Sequence, residues 1–154
     1  MTKIKIITGG QTGVDRATLD FALCNDIYCG GWCPRGRVAE DGFIPQYYPL
    51  TESYSLEYRV RTEQNVVECD AVLIIVYDEL DEGSMRTMEL AHTFFKPVFV
   101  WKLGVNRNYS QFTAWLENKN IRVLNVAGPR LSNAPGIYEA TLDLLDDLLA
   151  NYKH

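Results

Sequence analysis

Three glycines in five positions, Gly9-Gly10-Gln11-Thr12-Gly13, follow a short β-branched run and precede an amphipathic stretch. Glycines at such a turn let the backbone bend sharply and approach a ligand. The amides that open the following helix have no intrahelical partner, so the spacing predicts an anion cradle. A tight turn with Thr12 as helix cap is the plainer alternative. The pattern is neither Gly-x-Gly-x-x-Gly nor a Walker loop ending in Gly-Lys-Ser/Thr, so it singles out neither a dinucleotide nor a triphosphatase. Asp15 and Arg16 stand in the first helical turn behind it. Asp15 is either a partner for the helix dipole or an acceptor for a sugar hydroxyl or a ring's amino edge, and Arg16 can pair with phosphate.

A second set of donors is expected where Gly83 and Ser84 precede a helix, with Arg86, Thr87 and Glu89 in its first turns. Arg61, Thr62 and Asn65 share one face of another helix, which is either a binding face or a solvated one. Ala127-Gly128-Pro129-Arg130 either closes one flank of a cleft or simply turns the chain. Glu40, Asp41, Glu52 and Glu89 are the acids available as a general base. No Gly-x-Ser-x-Gly elbow and no His-Glu-x-x-His is present, which speaks against covalent or zinc hydrolysis. Cys24, Cys29, Cys33 and Cys69 lack Cys-x-x-Cys pairs and read as free thiols, so no bound metal is expected. Of the two histidines, His92 lies within a helical stretch and His154 is the last residue.

The elements that must position these groups alternate along the chain. Strands are expected at 3–8, 28–32, 71–77, 98–102 and 122–127. Helices are expected at about 13–25, up to Cys69, at 85–95, at 110–119 and from Gly136 to about 151. The run 71–77 is apolar throughout and should be a central strand. Such alternation predicts one Rossmann-like α/β domain over 1–154: a doubly wound, mostly parallel five-stranded sheet with helices on both faces. The expected strand order is 2-1-3-4-5, which sets strand 1 beside strand 3 and joins the two glycine loops. Segment 33–53, with three prolines, two glycines and a mixture of aromatic and charged residues, reads as an ordered, lid-like loop. With 154 residues, 47% hydrophobic content and a net charge of -5, the chain can fill one core. That charge argues against nucleic acid or anionic lipid as the main partner. No apolar run is long enough for a membrane span, and a cytoplasmic location is expected.

With these residues in view, the chain resembles the molybdenum-cofactor carrier family. That family is a branch of the superfamily that includes the cytokinin-activating phosphoribohydrolases and the DNA-processing protein A domain. The marks are Gly9-Gly10-Gln11-Thr12-Gly13-Val14-Asp15-Arg16, Trp32-Cys33-Pro34-Arg35-Gly36-Arg37 with Ala39-Glu40-Asp41-Gly42, and Arg61-Thr62 with Asn65. Asn125-Val126-Ala127-Gly128-Pro129-Arg130 and Pro135-Gly136-Ile137-Tyr138 complete them. The resemblance implies a Rossmann-like domain, often a homo-oligomer, whose glycine loops hold a phosphorylated ligand. The chain departs from the family where Glu82-Gly83-Ser84 replaces the usual Gly-Gly-Thr and Arg86 replaces an apolar residue.

The leading expectation is therefore a non-catalytic binder of a phosphorylated small molecule, either molybdenum cofactor (molybdopterin), a related pterin or a nucleotide. Gly9, Gly10, Gln11, Thr12, Gly13, Gly83 and Ser84 would hold its phosphate, Arg35, Arg37 and Arg61 would neutralise it, and Asp15 would read its ring or sugar. The alternative is a phosphoribohydrolase-type enzyme that cleaves nucleoside monophosphates, with Glu89 or Glu40 polarising water and Arg86 on the phosphate. A third reading is an interaction module that has lost its ligand.

Overall fold

The computed structural model describes residues 3–153, so His154 lies outside it. Its centre is a five-stranded, all-parallel sheet. In chain order the elements that build the sheet and its first helix are β1 (Lys5–Ile7), α1 (Val14–Cys24) and β2 (Tyr28–Gly30). Next come four two-residue strands, β3 (Trp32–Cys33), β4 (Val38–Ala39), β5 (Gly42–Phe43) and β6 (Thr51–Glu52). The rest are α2 (Tyr58–Glu68), β7 (Ala71–Val76), α3 (Glu82–Thr93), β8 (Val98–Lys102), α4 (Tyr109–Asn118), β9 (Val123–Ala127) and α5 (Ile137–Leu148).

All six residues of β7 are buried, as a continuous apolar run in a parallel sheet requires. One face of the sheet packs Ile6, Leu73, Ile75, Leu124 and Val126 against α1, α4 and α5 through Val14, Phe21, Phe112, Leu116, Ile137 and Leu145. The other face packs Ile7, Val72, Ile74 and Val76 against Val66 of α2 and Ala91 of α3. Among the described residues, no helix is long and apolar enough to cross a membrane.

The strand order corrects the sequence expectation. The sheet runs β2-β1-β9-β7-β8, so the last strand lies between the first and the long apolar one, and strands 1 and 3 of the sequence reading are not neighbours. Burial explains the difference. Leu124, Asn125 and Val126 are covered on both faces, whereas four of the five β8 residues, Val98, Phe99, Val100 and Lys102, are only partly buried although that strand is the more apolar. Apolar content reports one covered face as readily as two. Begun at β7 and followed through β8, β9, β1 and β2, the same sheet reads 2-1-3-4-5. The expected topology is thus present with its starting point moved along the chain.

Segment 33–53 packs on the outer side of α1. Strand β3 pairs in parallel with β6, and β4 forms a hairpin with β5 whose tip is Glu40-Asp41. Cys33, Ile44 and Tyr48 pack on Leu19 of α1, and the Tyr48 hydroxyl donates to Asp20. Arg37 holds the segment together. Its guanidinium donates to the carbonyls of Ile44 (3.1 Å), Pro45 (2.6 Å), Tyr48 (3.0 Å) and Leu50 (3.3 Å). Arg37→Ala should therefore strip four carbonyls of a charged donor and cost about 3 kcal/mol, read by urea denaturation. Limited proteolysis should show first cleavage within 33–53.

Candidate functional site

A cavity of about 290 Å³ opens at the carboxyl ends of β1, β9 and β7. Gln11 and Asp15 line it from the first loop, and Ala127, Gly128, Arg130 and Asn133 line it from the loop after β9. Asp81 to Thr87 contribute from the start of α3, and Tyr58, Arg59, Arg61 and Thr62 from the start of α2. In the rotated order of the sheet, the point of reversal lies between β7 and β9, where open α/β sheets place ligands. The first loop reaches this cavity only through Gln11, with Asp15 behind it; Gly9, Gly10, Thr12 and Gly13, expected to hold the phosphate, do not line it, and the β9 loop stands between the first loop and the second. Of its two alternatives, 127–130 thus takes the one that encloses the cleft.

The first loop is held in shape from outside the cavity. Gly10 and Gly13 both have φ of 80°, a conformation open to glycine, and a Cβ on Gly13 would lie 2.5 Å from the Pro129 carbonyl. Thr12 does not cap α1, which starts at Gly13 with no side-chain cap. Its hydroxyl instead donates to the Glu40 carboxylate and accepts the Leu131 amide. The Gln11 side-chain carbonyl accepts the amides of Thr12 (3.0 Å) and Glu40 (2.9 Å), which leaves its NH2 group as the end that can serve a ligand.

Asp15 is 5% exposed and accepts the Gln11 amide at 3.2 Å, with Arg61 Nη1 4.0 Å away. Burial pushes its carboxyl up to about 6, an effect partly offset by Arg61 and by the Gln11 amide. Arg61 lies directly on Gly9, where a Cβ would fall 2.1 Å from Nη1, and its guanidinium sits over the Tyr58 ring. It donates to the Thr62 hydroxyl at 3.2 Å, but its buried Nε has no hydrogen-bond partner. The buried Ser84 hydroxyl has none either. Both residues line the cavity, but these two atoms are covered as the side chains stand, and a small rotation would bring either donor to a ligand's acceptor oxygen.

At the second loop, Asp81 caps α3 by accepting the Ser84 amide at 2.9 Å, and Asn133 donates to its other oxygen at 3.3 Å. The Glu82 side chain, at the edge of the cavity, is 93% exposed and 3.8 Å from Arg86, so this carboxylate stands in solvent. Thr87 donates to the Gly83 carbonyl, and the space above Gly83 is open.

Other candidates from the sequence lie outside the cavity. Arg16 is bound to Asp41 at 3.0 Å and to the Gly10 carbonyl. Arg35 is exposed and Arg37 is committed to the carbonyls of its own segment. Asn65 pairs with both the amide and the carbonyl of Trp32, at 2.8 and 3.0 Å, and so ties α2 to β3. Desolvation, the largest single effect on Glu40, raises its carboxyl, but the bonds from Ser132 and Thr12, with Arg130 at 3.8 Å, together outweigh it and pull the carboxyl below the usual range. Glu89 is exposed on α3 and does not line the cavity. Sequence reasoning missed Asp81, Asn133, Tyr58 and Arg59. Asp81 had a readable signal, an aspartate three residues ahead of Ser84 at a helix start. All four cysteines are free thiols. Among the described residues, no three His, Cys, Asp or Glu side chains are grouped to hold a metal.

Residues 6–149 match the family described as Circularly permutated YpsA SLOG. The chain is also similar to a solved structure, at 1.45 Å resolution, of a protein from Syntrophus aciditrophicus SB named "Putative molybdenum carrier protein". The two share 44% identity over 96% of each chain, with a TM-score of 0.91. No curated protein matches the chain.

The Asp15 shift has a consequence for stability. Its folded pKa of about 6 stands above the ordinary 3.8. The folded state therefore binds the proton more tightly, and Asp15 costs stability increasingly as pH rises from 3.8 through 6. Asp15→Asn should remove that cost and raise stability at pH 7 by at most about 3 kcal/mol, the gain shrinking to nothing near pH 4. Thermal unfolding of both proteins across this pH range measures it.

Proposed function

The chain belongs to the circularly permutated YpsA SLOG family, and on that premise we propose that it is a binding or carrier protein for a phosphorylated small molecule. The observation that carries this reading is one cavity lined by both Arg61 and Ser84. Their Nε and Oγ have no hydrogen-bond partner and are covered as the side chains stand, so that a small turn of either would bring a donor to a ligand. An unpaired buried polar atom costs about 1–3 kcal/mol, and a phosphate oxygen would recover that cost. The volume of about 290 Å³ lies at the small end of ligand sites and suits a phosphate with its adjoining sugar or ring, the rest reaching the mouth. Asp15 and the Gln11 NH2 group would meet that ring or sugar.

The relative from S. aciditrophicus is named for molybdenum. Brought to this chain, that name fits an organic phosphate such as a molybdopterin better than a bare metal ion, since no metal-ligating group of side chains accompanies the cavity. A nucleotide satisfies the same donors. Against the hydrolytic alternative, Glu89 is in solvent and Glu40 is bonded to Thr12 and Ser132, while of the acids that line the cavity Asp81 is taken up by the α3 cap and Glu82 is exposed, which leaves Asp15.

Native mass spectrometry of the purified protein should find a phosphorylated compound bound. Thermal shift against pterin phosphates and nucleoside monophosphates should find stabilisation near 2.7 kcal/mol with a ligand at about 100 times its Kd. Free base released from the monophosphates at useful rates would overturn the carrier reading, and no shift from any compound would favour an interaction module. Gly9→Ala supplies a sharper test. The backbone accepts alanine, but its Cβ must displace the Arg61 guanidinium. Folding stability should change by less than about 1 kcal/mol, while affinity should fall roughly 10- to 100-fold, the worth of a charged hydrogen bond to phosphate.

A further inference from the structure

We propose that the anion enters this site together with a proton, which Asp15 takes up from solvent, so that binding is tighter in mildly acid than in neutral solution. The inference rests on the carrier reading above and concerns the charge state of that same site.

Geometry makes the coupling. Asp15 is sealed at the base of the cavity, and the cation nearest to it is Arg61, at 4.0 Å. The same residue lines the cavity, so its guanidinium is also the cation that an incoming phosphate would meet. Two anions would then share one cation in a confined space with little water, a situation in which one carboxyl gives up its charge. Burial already leaves Asp15 within reach of protonation, at about 6, and a neighbouring negative charge can only raise it. Once neutral, its hydroxyl can donate to a ligand oxygen, while the other oxygen still accepts the Gln11 amide.

Of the other charges around Asp15, Arg16 also favours its ionised form, but less than Arg61 does, and the rest are opposed by acids or exposed. On its own helix, Arg16 is turned to Asp41 and the Gly10 carbonyl. From the β9 loop, Arg130 lies 3.8 Å from Glu40. From α3, Arg86 is opposed by Glu82, and Asp81 adds a further negative charge that is spent on the helix cap. On α2, Arg59 is exposed at the rim.

A phosphate ester itself titrates near pH 6, so the test uses sulfate, which stays dianionic from pH 5.5 to 8 and cannot carry the proton. Calorimetric titration of the whole chain with sodium sulfate, in buffers of different ionisation enthalpy, should show affinity falling by about tenfold per pH unit above pH 6 and levelling below it. Close to one proton should be taken up per anion at pH 7. Asp15→Asn retains the acceptor for the Gln11 amide. It should bind sulfate across the whole range with the affinity that the unaltered protein reaches only in acid, and with no proton uptake. Sulfate binding with no pH slope, or a slope unchanged in Asp15→Asn, or loss of binding in that variant, would overturn the proton coupling and leave the carrier reading intact. If neither protein binds sulfate or any phosphorylated compound at any pH, the carrier reading fails and the coupling falls with it.

Discussion

Asp70 accepts the amides of Arg122 and Val123 at 3.0 and 2.8 Å, and the Lys5 amide donates to the Arg122 carbonyl. Those bonds seat β9 between β7 and β1, and the rest of the site depends on that seat. With β9 there, three neighbouring strands end at one edge of the sheet and send their loops over a common space. The fit at the end of β9 is tight. A Cβ on Gly128 would lie 2.4 Å from the Ile75 carbonyl and 2.5 Å from a Val14 methyl. A glycine at this point therefore lets the chain leave the sheet between its neighbours and form the cavity floor, where a larger residue would push β7 and α1 apart.

Charge around the cavity is arranged so that one cation carries most of the weight. Arg16, Arg86 and Arg130 each lie within 4 Å of an acid other than Asp15, and Arg37 is buried among carbonyls. Arg61, its side chain largely covered, lines the cavity with Asp15 as its nearest acid, and it can lie there because Gly9 has no side chain. A glycine that looks like part of a backbone cradle thus has a second use, as the seat for a guanidinium arriving from α2 on the far side of the sheet.

Much of this was legible in the sequence, and the failures share a cause. The five strands of the central sheet and the five helices are marked by local periodicity and turn chemistry, and they stand near the expected positions. Their order is not local. Nothing in Val123–Ala127 announces burial on both faces, since Asn125 interrupts the apolar run that would have signalled it. The site divides in the same way. Gly9, Gly13, Arg61 and Ser84 lie at element ends whose role follows from the adjoining strand or helix. Arg37 and Asn65 have partners 7 to 13 and 33 positions away. Residue type alone cannot tell a guanidinium that meets phosphate from one that meets carbonyls, because both offer it oxygen.

The departure from the resembled family at Glu82-Gly83-Ser84 takes its meaning from Asp81 rather than Glu82. Glu82 is turned into solvent, but the Asp81 carboxylate occupies the amino end of α3, where a bare glycine turn would leave amides for phosphate. A dianion arriving there meets a helix end already holding a negative charge, with the Ser84 amide taken and its hydroxyl reached only after the side chain turns. The favourable charge must then come from Arg61, across β9. A ligand held by Ser84 on one side and Arg61 on the other has to span the β9 floor, so its phosphate belongs near the middle of the cleft, next to Asp15, and not at the tip of either glycine loop.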